Sequence, residues 1–464
     1  YNNGLTVVDN DVERETRSNF SGLSLGNFLG TVFVAGNEFT GFGYGIWGVS
    51  SDVTIKGNTI ENPGRDGIYL FGGSNFTIGG TAADEENFIS GTGEHGIHLS
   101  GLGGTKRVQN NVVYNAIMDG IHIYGSDNVL VSDNTVRDFG ETGIFGEQSD
   151  DLTITGNTIL GWPQGDLFNI RGRNGVVVKG DLDEEPATGA RVQNNVILGM
   201  KDNGVVLEHT SESGVLDNIV IGTGNHGIGV FDSEQTMIEN NLVALTGLDV
   251  LFGFGEGNGI HVEDSDDTQI TDNLVLGTVG HGINVTGGAF VNITDNQVAL
   301  TGGDGIRVDG GKIKVARGGN GSGTPEGRFD FVNIEGNQVI LTGENGIAVD
   351  GRGFTRVVEN DVFASGIGFY GLVSGGQDVI LDLDLELNDI DERDDFGTTL
   401  QVRDNRDSLF DTIRIEGQAG FEWGDGHGIT VTEVRGAVIE QDNPGNDDDD
   451  EPKLTASKAK AGPQ

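Results

Sequence analysis

Apolar and polar positions recur in a fixed order along most of the chain. One short motif, apolar-x-x-Asn-x-apolar, appears as "VVDNDV", "VAGNEF", "IKGNTI", "VQNNVV", "VSDNTV", "ITGNTI", "VQNNVI", "IENNLV", "ITDNLV", "ITDNQV", "IEGNQV" and "VENDVF". Its anchors are Asn10, Asn37, Asn58, Asn87, Asn111, Asn134, Asn157, Asn195, Asn218, Asn241, Asn273, Asn296, Asn337, Asn360 and Asn388. The residue two positions after the anchor is apolar at all fifteen, and the residue three before is apolar except at Asp84. Six of the steps between anchors are 23 residues. Usually nine residues after the anchor comes Gly-Ile or Gly-Val, followed by alternation: "GIYL", "GIHL", "GIHI", "GVVL", "GIHV". Period-2 alternation broken by Gly, Asn and Asp predicts three short strands per unit, joined by tight turns.

No single unit can bury its own apolar face. Stacking buries it, and a coil of parallel strands keeps the same positions in register for so many repeats. The predicted fold is therefore all-β, a solenoid of about 15 or more coils. An anchor Asn at an inward turn can bond the turn backbone and the Asn of the next coil, so the anchors are assigned a buried amide ladder and no catalytic role. The Gly before each Ile is expected where a turn needs positive φ.

The pattern resembles the right-handed parallel β-helix, in its class of roughly 23-residue repeats, over about Gly4 to Val434. The segment "TIGGTAADEENFISGTGEHGIHLSG", Thr77–Gly101, is similar to units of large secreted and surface β-helix proteins of bacteria. That resemblance implies a scaffold shared by lyases, hydrolases, epimerases, adhesins and phage fibres, so it fixes the fold and leaves the function to the site. A single β-helix domain is expected over 1–436, with insertions at 161–174, 181–189, 245–257 and 311–330 and an irregular cap over about 366–436. The stretch 437–464, acidic and then basic, reads as a disordered tail or linker. Tyr1 to Asn27 shows no amphipathic capping helix, and the chain starts without Met or an apolar leader. It therefore reads as a mature chain or a piece of a longer one.

Composition narrows the options. Eighty glycines against seven prolines, with no glycine at every third position, exclude a collagen-like or Pro/Gly-disordered chain. The absence of cysteine excludes a disulfide scaffold and thiol chemistry. A net charge of −45 argues against nucleic acid as a partner, and against unaided binding of any polyanion. It suits solubility in salt and the binding of cations. No apolar run of about 18 residues is present, so no transmembrane helix is expected.

The residues directly after Gly-Ile should face outward from one strand of each coil: Trp47, Tyr69, His98, His122, Phe145, then Val177, Val206, Gly229, His261, Asn284, Arg307 and Ala348. The first five carry rings. At a coil spacing of about 4.8 Å, a row of flat side chains could stack on a glycan. Two positions further on lie Phe71, Ser100, Tyr124, Glu147, Lys179 and Glu208. Proton chemistry on a uronic-acid chain needs a base, an acid and a cation that neutralises the carboxylate. His98, His122, Tyr69 and Tyr124, with Glu147, are candidates for the first two. Lys179, Arg171, Arg173 or a bound Ca²⁺ are candidates for the third. Trp47, Phe145, Trp162, Arg171 and Arg173 are candidates for substrate contact; the arginines serve equally well as local charge compensation. Asp264, Asp266 and Asp267, near His281, are candidates for metal ligation or a hydrolytic carboxylate pair.

Known motifs of the scaffold match only in part. Polygalacturonase-like hydrolases carry Asn-Thr-Asp, an Asp pair, Gly-His-Gly and Arg-Ile-Lys. Here Asp266-Asp267 and Gly280-His281-Gly282 occur without the other two, and the Asp-Pro-His of mannuronan C5-epimerases is absent. "HGI" recurs at His95, His226 and His427, so these histidines, like Asp66, Asp119 and Asn203, read as variants of one turn position. Two functions remain. One is a secreted carbohydrate-active protein that binds an acidic polysaccharide along the exposed strand face; as an enzyme it fits a lyase or epimerase better than a hydrolase. The other is a non-catalytic rod or adhesin that associates with itself or belongs to a larger surface protein. Both place the chain outside a bacterial cell or on its surface.

Overall fold

The computed structural model describes residues 4–13, 19–26, 30–161, 171–181, 185–247, 257–309, 331–343, 346–350 and 354–363, and five further strands, Val379–Asp384, Gln401–Arg403, Ile413–Glu416, Thr430–Thr432 and Val438–Ile439. The chain forms two compact units, Tyr1–Gly255 and Glu256–Gln464. The boundary falls inside the expected insertion 245–257. Most of the insertions, including Trp162 and the whole of 311–330, lie outside the described residues, as do Asn388, His427 and the tail beyond Ile439.

In the first unit each coil supplies three short strands, and each strand pairs in parallel with its counterpart one coil on. Gly103–Gln109, Val112–Tyr114 and Ile121–Tyr124 pair with Val129–Ser132, Thr135–Arg137 and Thr142–Glu147. The register places like on like: Val108 on Val131, Val113 on Val136, Ile121 on Ile144. These six side chains are fully buried, so alternate residues of these strands fill the interior of the coil. The second unit repeats the scheme. Gln269–Thr271, Val291–Thr294, Phe331–Glu335 and Phe354–Phe363 stack in parallel, and the pairing continues through Val379–Asp384 to Ile413–Glu416.

The anchor asparagines form the ladder that their spacing predicts. Asn134 is typical. Its Oδ1 accepts both the backbone N–H and the Nδ2 of Asn111, at 2.9 Å each, while its own Nδ2 donates to Asn157 Oδ1 at 2.9 Å and to Val108 O at 2.8 Å. Every polar atom of the amide is satisfied, as burial requires. The pattern holds from Asn37 to Asn218 in the first unit and from Asn273 to Asn337 in the second. The exception at Asp84 has a local cause: the chain there makes one turn of 3₁₀ helix, Ala83–Glu85, in place of an inward-facing strand residue.

The glycine of Gly-Ile requires a correction. It is not in the left-handed region; the positive-φ glycines are others, such as Gly36, Gly57 and Gly156. The constraint is contact. A Cβ on Gly120 would lie 2.1 Å from Val136 Cγ1 and 2.6 Å from Gly143 O. Gly67, Gly96, Gly143 and Gly204 meet the same pair, a branched core side chain and the carbonyl one coil on. Glycine stands there because the strand backbone rests on the neighbouring core residue.

Replacing Asn134 with Ala strands the donors of Asn111 and the carbonyl of Val108. The expected cost is roughly 3 kcal/mol, read as a lower urea midpoint. Thr135→Ala on the outer face should shift the midpoint little.

Candidate functional site

The outward column of the first unit is continuous. The register runs Trp47, Tyr69, His98, His122, Phe145, Val177, Val206 on successive coils. The rings are half-buried, because each covers the next. Tyr69 and His98 stack at 4.5 Å between centroids and 22° between planes, and His98 and His122 at 4.9 Å and 15°. Phe145 lies tilted on His122 at 4.9 Å. Trp47 meets Phe71 at 5.2 Å, and Tyr44 stacks on Tyr69 at 6.0 Å. The coil pitch thus brings the rings together as expected, with one difference. In the Tyr69–His98–His122 stretch the faces are turned to one another, so the column presents ring edges to solvent rather than a flat platform.

The turn beside this column holds the charged part of the site. Its residues follow one rule: the side-chain acceptor takes the backbone N–H one coil on. Asp66 Oδ1 accepts from His95 N at 2.9 Å, and Asp119 Oδ1 accepts from Thr142 N at 2.9 Å. Further along, Asn174 Oδ1 accepts from Asn203 N at 3.2 Å and Asn203 Oδ1 from His226 N at 3.1 Å. The reading of these positions as turn residues is correct as far as it goes. A carboxylate, however, has a second oxygen. Asp66 Oδ2 lies 3.4 Å from His98 Nδ1, while Asp119 Oδ2 lies 3.1 Å from His95 Nδ1 and 3.4 Å from His122 Nδ1. His95 packs edge-on against both outward histidines, at 4.9 Å from His98 and 4.7 Å from His122. Asp66, His95 and Asp119 are buried. Sequence reasoning missed all three as site residues; the signal was two adjacent columns, Asp66-His95-Asp119 and Tyr69-His98-His122, read only one at a time.

Electrostatics divides the imidazoles. Burial, then the neighbouring His95, pushes His122 down to about 4. Burial also opposes the proton on His95, but its hydrogen bond to Asp119 and that carboxylate's charge outweigh burial and raise its pKa. Burial, with the charge of Asp66, raises the Tyr69 hydroxyl, which therefore stays a donor.

The remaining predicted residues lie as follows. Tyr124 is exposed and in register between Ser100 and Glu147. Glu147 Oε2 approaches His122 Nε2 at 3.8 Å. Lys179 stands in register between Glu147 and Glu208 and pairs with Glu208 at 2.9 Å. Arg171 bonds Asn115 and Asp138, and Arg173 bonds Asp202 and Glu141, so both guanidinium groups neutralise turns rather than join the ring column. In the second unit Asp266 Oδ1 accepts from Ala289 N at 2.8 Å, a turn role. Among the described residues, the groups of three or more ligand atoms within 4.8 Å of one another are Asp66/His95/His98 and His95/Asp119/His122; Asp264, Asp266 and Asp267 are in neither.

A family model described as "Right handed beta helix region" matches residues 1–88 and 82–243. The chain belongs to this right-handed β-helix family. Solved structures of similar β-helices are distant. A mutant of the periplasmic alginate epimerase AlgG is 12% identical over 73% of this chain and 76% of that one, with a TM-score of 0.48. The A-module of the Azotobacter vinelandii mannuronan C-5 epimerase AlgE4 is 14% identical over 80% and 90%, at 0.41. The bacteriophage CBA120 tailspike protein 2 is 12% identical over 64% and 43%, at 0.40. No curated protein matches the chain by sequence.

Histidine ¹⁵N correlation spectra should show His95 taking its proton above the ordinary 6.5 and His122 only near 4. By linkage, a base lowered in the folded state binds fewer protons folded than unfolded. His122 therefore reduces stability as pH falls from 6.5 towards 4. His95, raised, adds stability that is present below 6.5 and lost as pH rises through its folded value.

Proposed function

We propose that the first unit binds a polysaccharide along the ring column, outside the cell or on its surface, and carries out proton chemistry on uronic-acid units there. The observation that supports this reading is the unbroken run of ring contacts from Tyr44 through Tyr69, His98 and His122 to Phe145, at centroid spacings of 4.5 to 6.0 Å on an outward strand face. That spacing is close to the length of one sugar unit in an extended chain, so successive sugars meet equivalent positions on successive coils. The outer edges of Tyr69 and His98 offer polar atoms to sugar hydroxyls, and the tilted rings Trp47, Phe71 and Phe145 offer apolar surface.

Within the column, His98 is the residue placed for proton transfer. Its Nδ1 is held towards the buried Asp66 carboxylate at 3.4 Å, which orients the ring as a carboxylate orients a catalytic imidazole. Tyr69, stacked on His98 and kept protonated, is the matching acid. His122 is less suited to direct contact, because both of its ring nitrogens are buried. Lys179, beyond Glu147, is the candidate cation for a sugar carboxylate. Since the protein carries a net charge of −45, an acidic polymer also needs a bridging cation, and Ca²⁺ is the ion proposed for that task.

Binding to alginate, pectate and neutral glycans, with and without Ca²⁺, tests the reading. Tyr69→Ala should weaken binding by at least about tenfold, the loss expected for a truncated aromatic anchor. His98→Ala should abolish any unsaturated or epimerised product while leaving most of the affinity. Absence of binding across the panel, together with self-assembly in solution, would favour a structural or adhesive rod instead.

A further inference from the structure

We infer that His95, Asp119 and His122 form a binding site for a divalent transition-metal ion such as Zn²⁺. The site does not depend on the polysaccharide reading: it joins the buried turn residues His95 and Asp119 to the buried ring nitrogens of His122, atoms that the column does not present to solvent.

Geometry is the first support. Zinc bonds to imidazole nitrogen and carboxylate oxygen of about 2.0–2.1 Å set tetrahedral ligand atoms about 3.4 Å apart. Asp119 Oδ2 lies 3.1 Å from His95 Nδ1 and 3.4 Å from His122 Nδ1. Two imidazoles and one carboxylate supply three protein ligands and leave a fourth position for water or another ligand. Two nitrogen donors favour a transition ion over Ca²⁺ or Mg²⁺, which prefer oxygen throughout.

The second support is an unmet need. Both ring nitrogens of His122 are buried, and neither has a hydrogen-bond partner. A buried polar group without a partner is costly and uncommon, and a bound ion is one way to satisfy it. Glu147 Oε2, 3.8 Å from Nε2, is too far to serve as one, yet stands where a carboxylate orients a ligating imidazole from its far side.

The third support is a comparison inside the molecule. The second unit repeats this turn and column with His281 in the place of His95, Asp304 in that of Asp119 and Arg307 in that of His122. There Arg307 bonds Asp304 Oδ2 at 3.2 Å, and the Asp304 N–H closes onto His281 Nδ1 at 2.9 Å. An arginine takes the second carboxylate oxygen and the ring nitrogen is used by the backbone. In the first unit the guanidinium is gone, and the corresponding contact, Asp119 N to His95 Nδ1, is stretched to 3.4 Å. In both units the carboxylate oxygen stays close to the ring nitrogen, at 3.1 Å for Asp119 and His95 and 3.4 Å for Asp304 and His281, and what the first unit lacks is the arginine that shares the oxygen.

The test is calorimetric titration of the full chain with Zn²⁺ in the absence of polymer, with X-ray absorption on the loaded protein. One ion per chain is expected, with nitrogen and oxygen neighbours at about 2.0–2.1 Å. Asp119→Asn keeps the oxygen that accepts from Thr142, and His122→Arg copies the second unit, so both variants have a precedent in the fold. Each should weaken Zn²⁺ binding by more than about tenfold, the lower end of what even an outer partner contributes. Asp304→Asn should leave it unchanged. No binding, or equal binding in both Asp119→Asn and His122→Arg with folding confirmed by circular dichroism, overturns the proposal. Zn²⁺ binding without glycan binding would leave the metal site standing and remove only the polysaccharide reading; the reverse result would do the opposite.

Discussion

Everything in each unit depends on one constraint: parallel strands in exact coil register. The hydrogen-bond spacing of about 4.8 Å stacks like residue upon like residue, and the buried asparagine amides hold that register from inside. A column of identical environments follows. Apolar residues recurring at a position make core, and asparagines make a ladder. Rings recurring at an outward position have no choice but to contact one another.

Most of the fold was therefore legible. The fifteen anchors and the alternation after Gly-Ile defined coils, strands and core positions, because each coil faces the same neighbours and its pattern repeats. Two readings failed for physical reasons. The glycine of Gly-Ile was assigned to a backbone conformation, whereas Gly120 is required by the nearness of Val136, a contact between coils that no local pattern reveals. The ring column was read as a platform, whereas rings at this pitch satisfy one another first; Tyr69 and His98 at 4.5 Å leave no face between them.

The site was half legible. His98, His122 and Tyr69 stood out against a repeat that elsewhere tolerates Val, Gly or Ala. Asp66, His95 and Asp119 did not, because each performs an ordinary turn task. That task uses one atom, and the chemistry lies in the other. Seeing this requires knowing that the turn column runs beside the outward column, which is a property of the coil in three dimensions and not of spacing along the chain.

The division of labour within Asp119 has an evolutionary consequence. The fold asks only for the oxygen that accepts from Thr142. An amide does the same work, as Asn258 does for His281 N at 2.8 Å. Exchange of a single atom, the other carboxylate oxygen for an amino group, therefore changes the charge of the site and leaves the coil intact. The backbone hydrogen bond between coils is indifferent to that exchange. Such a repeat can gain or lose a charged centre by drift, coil by coil, without passing through an unfolded intermediate.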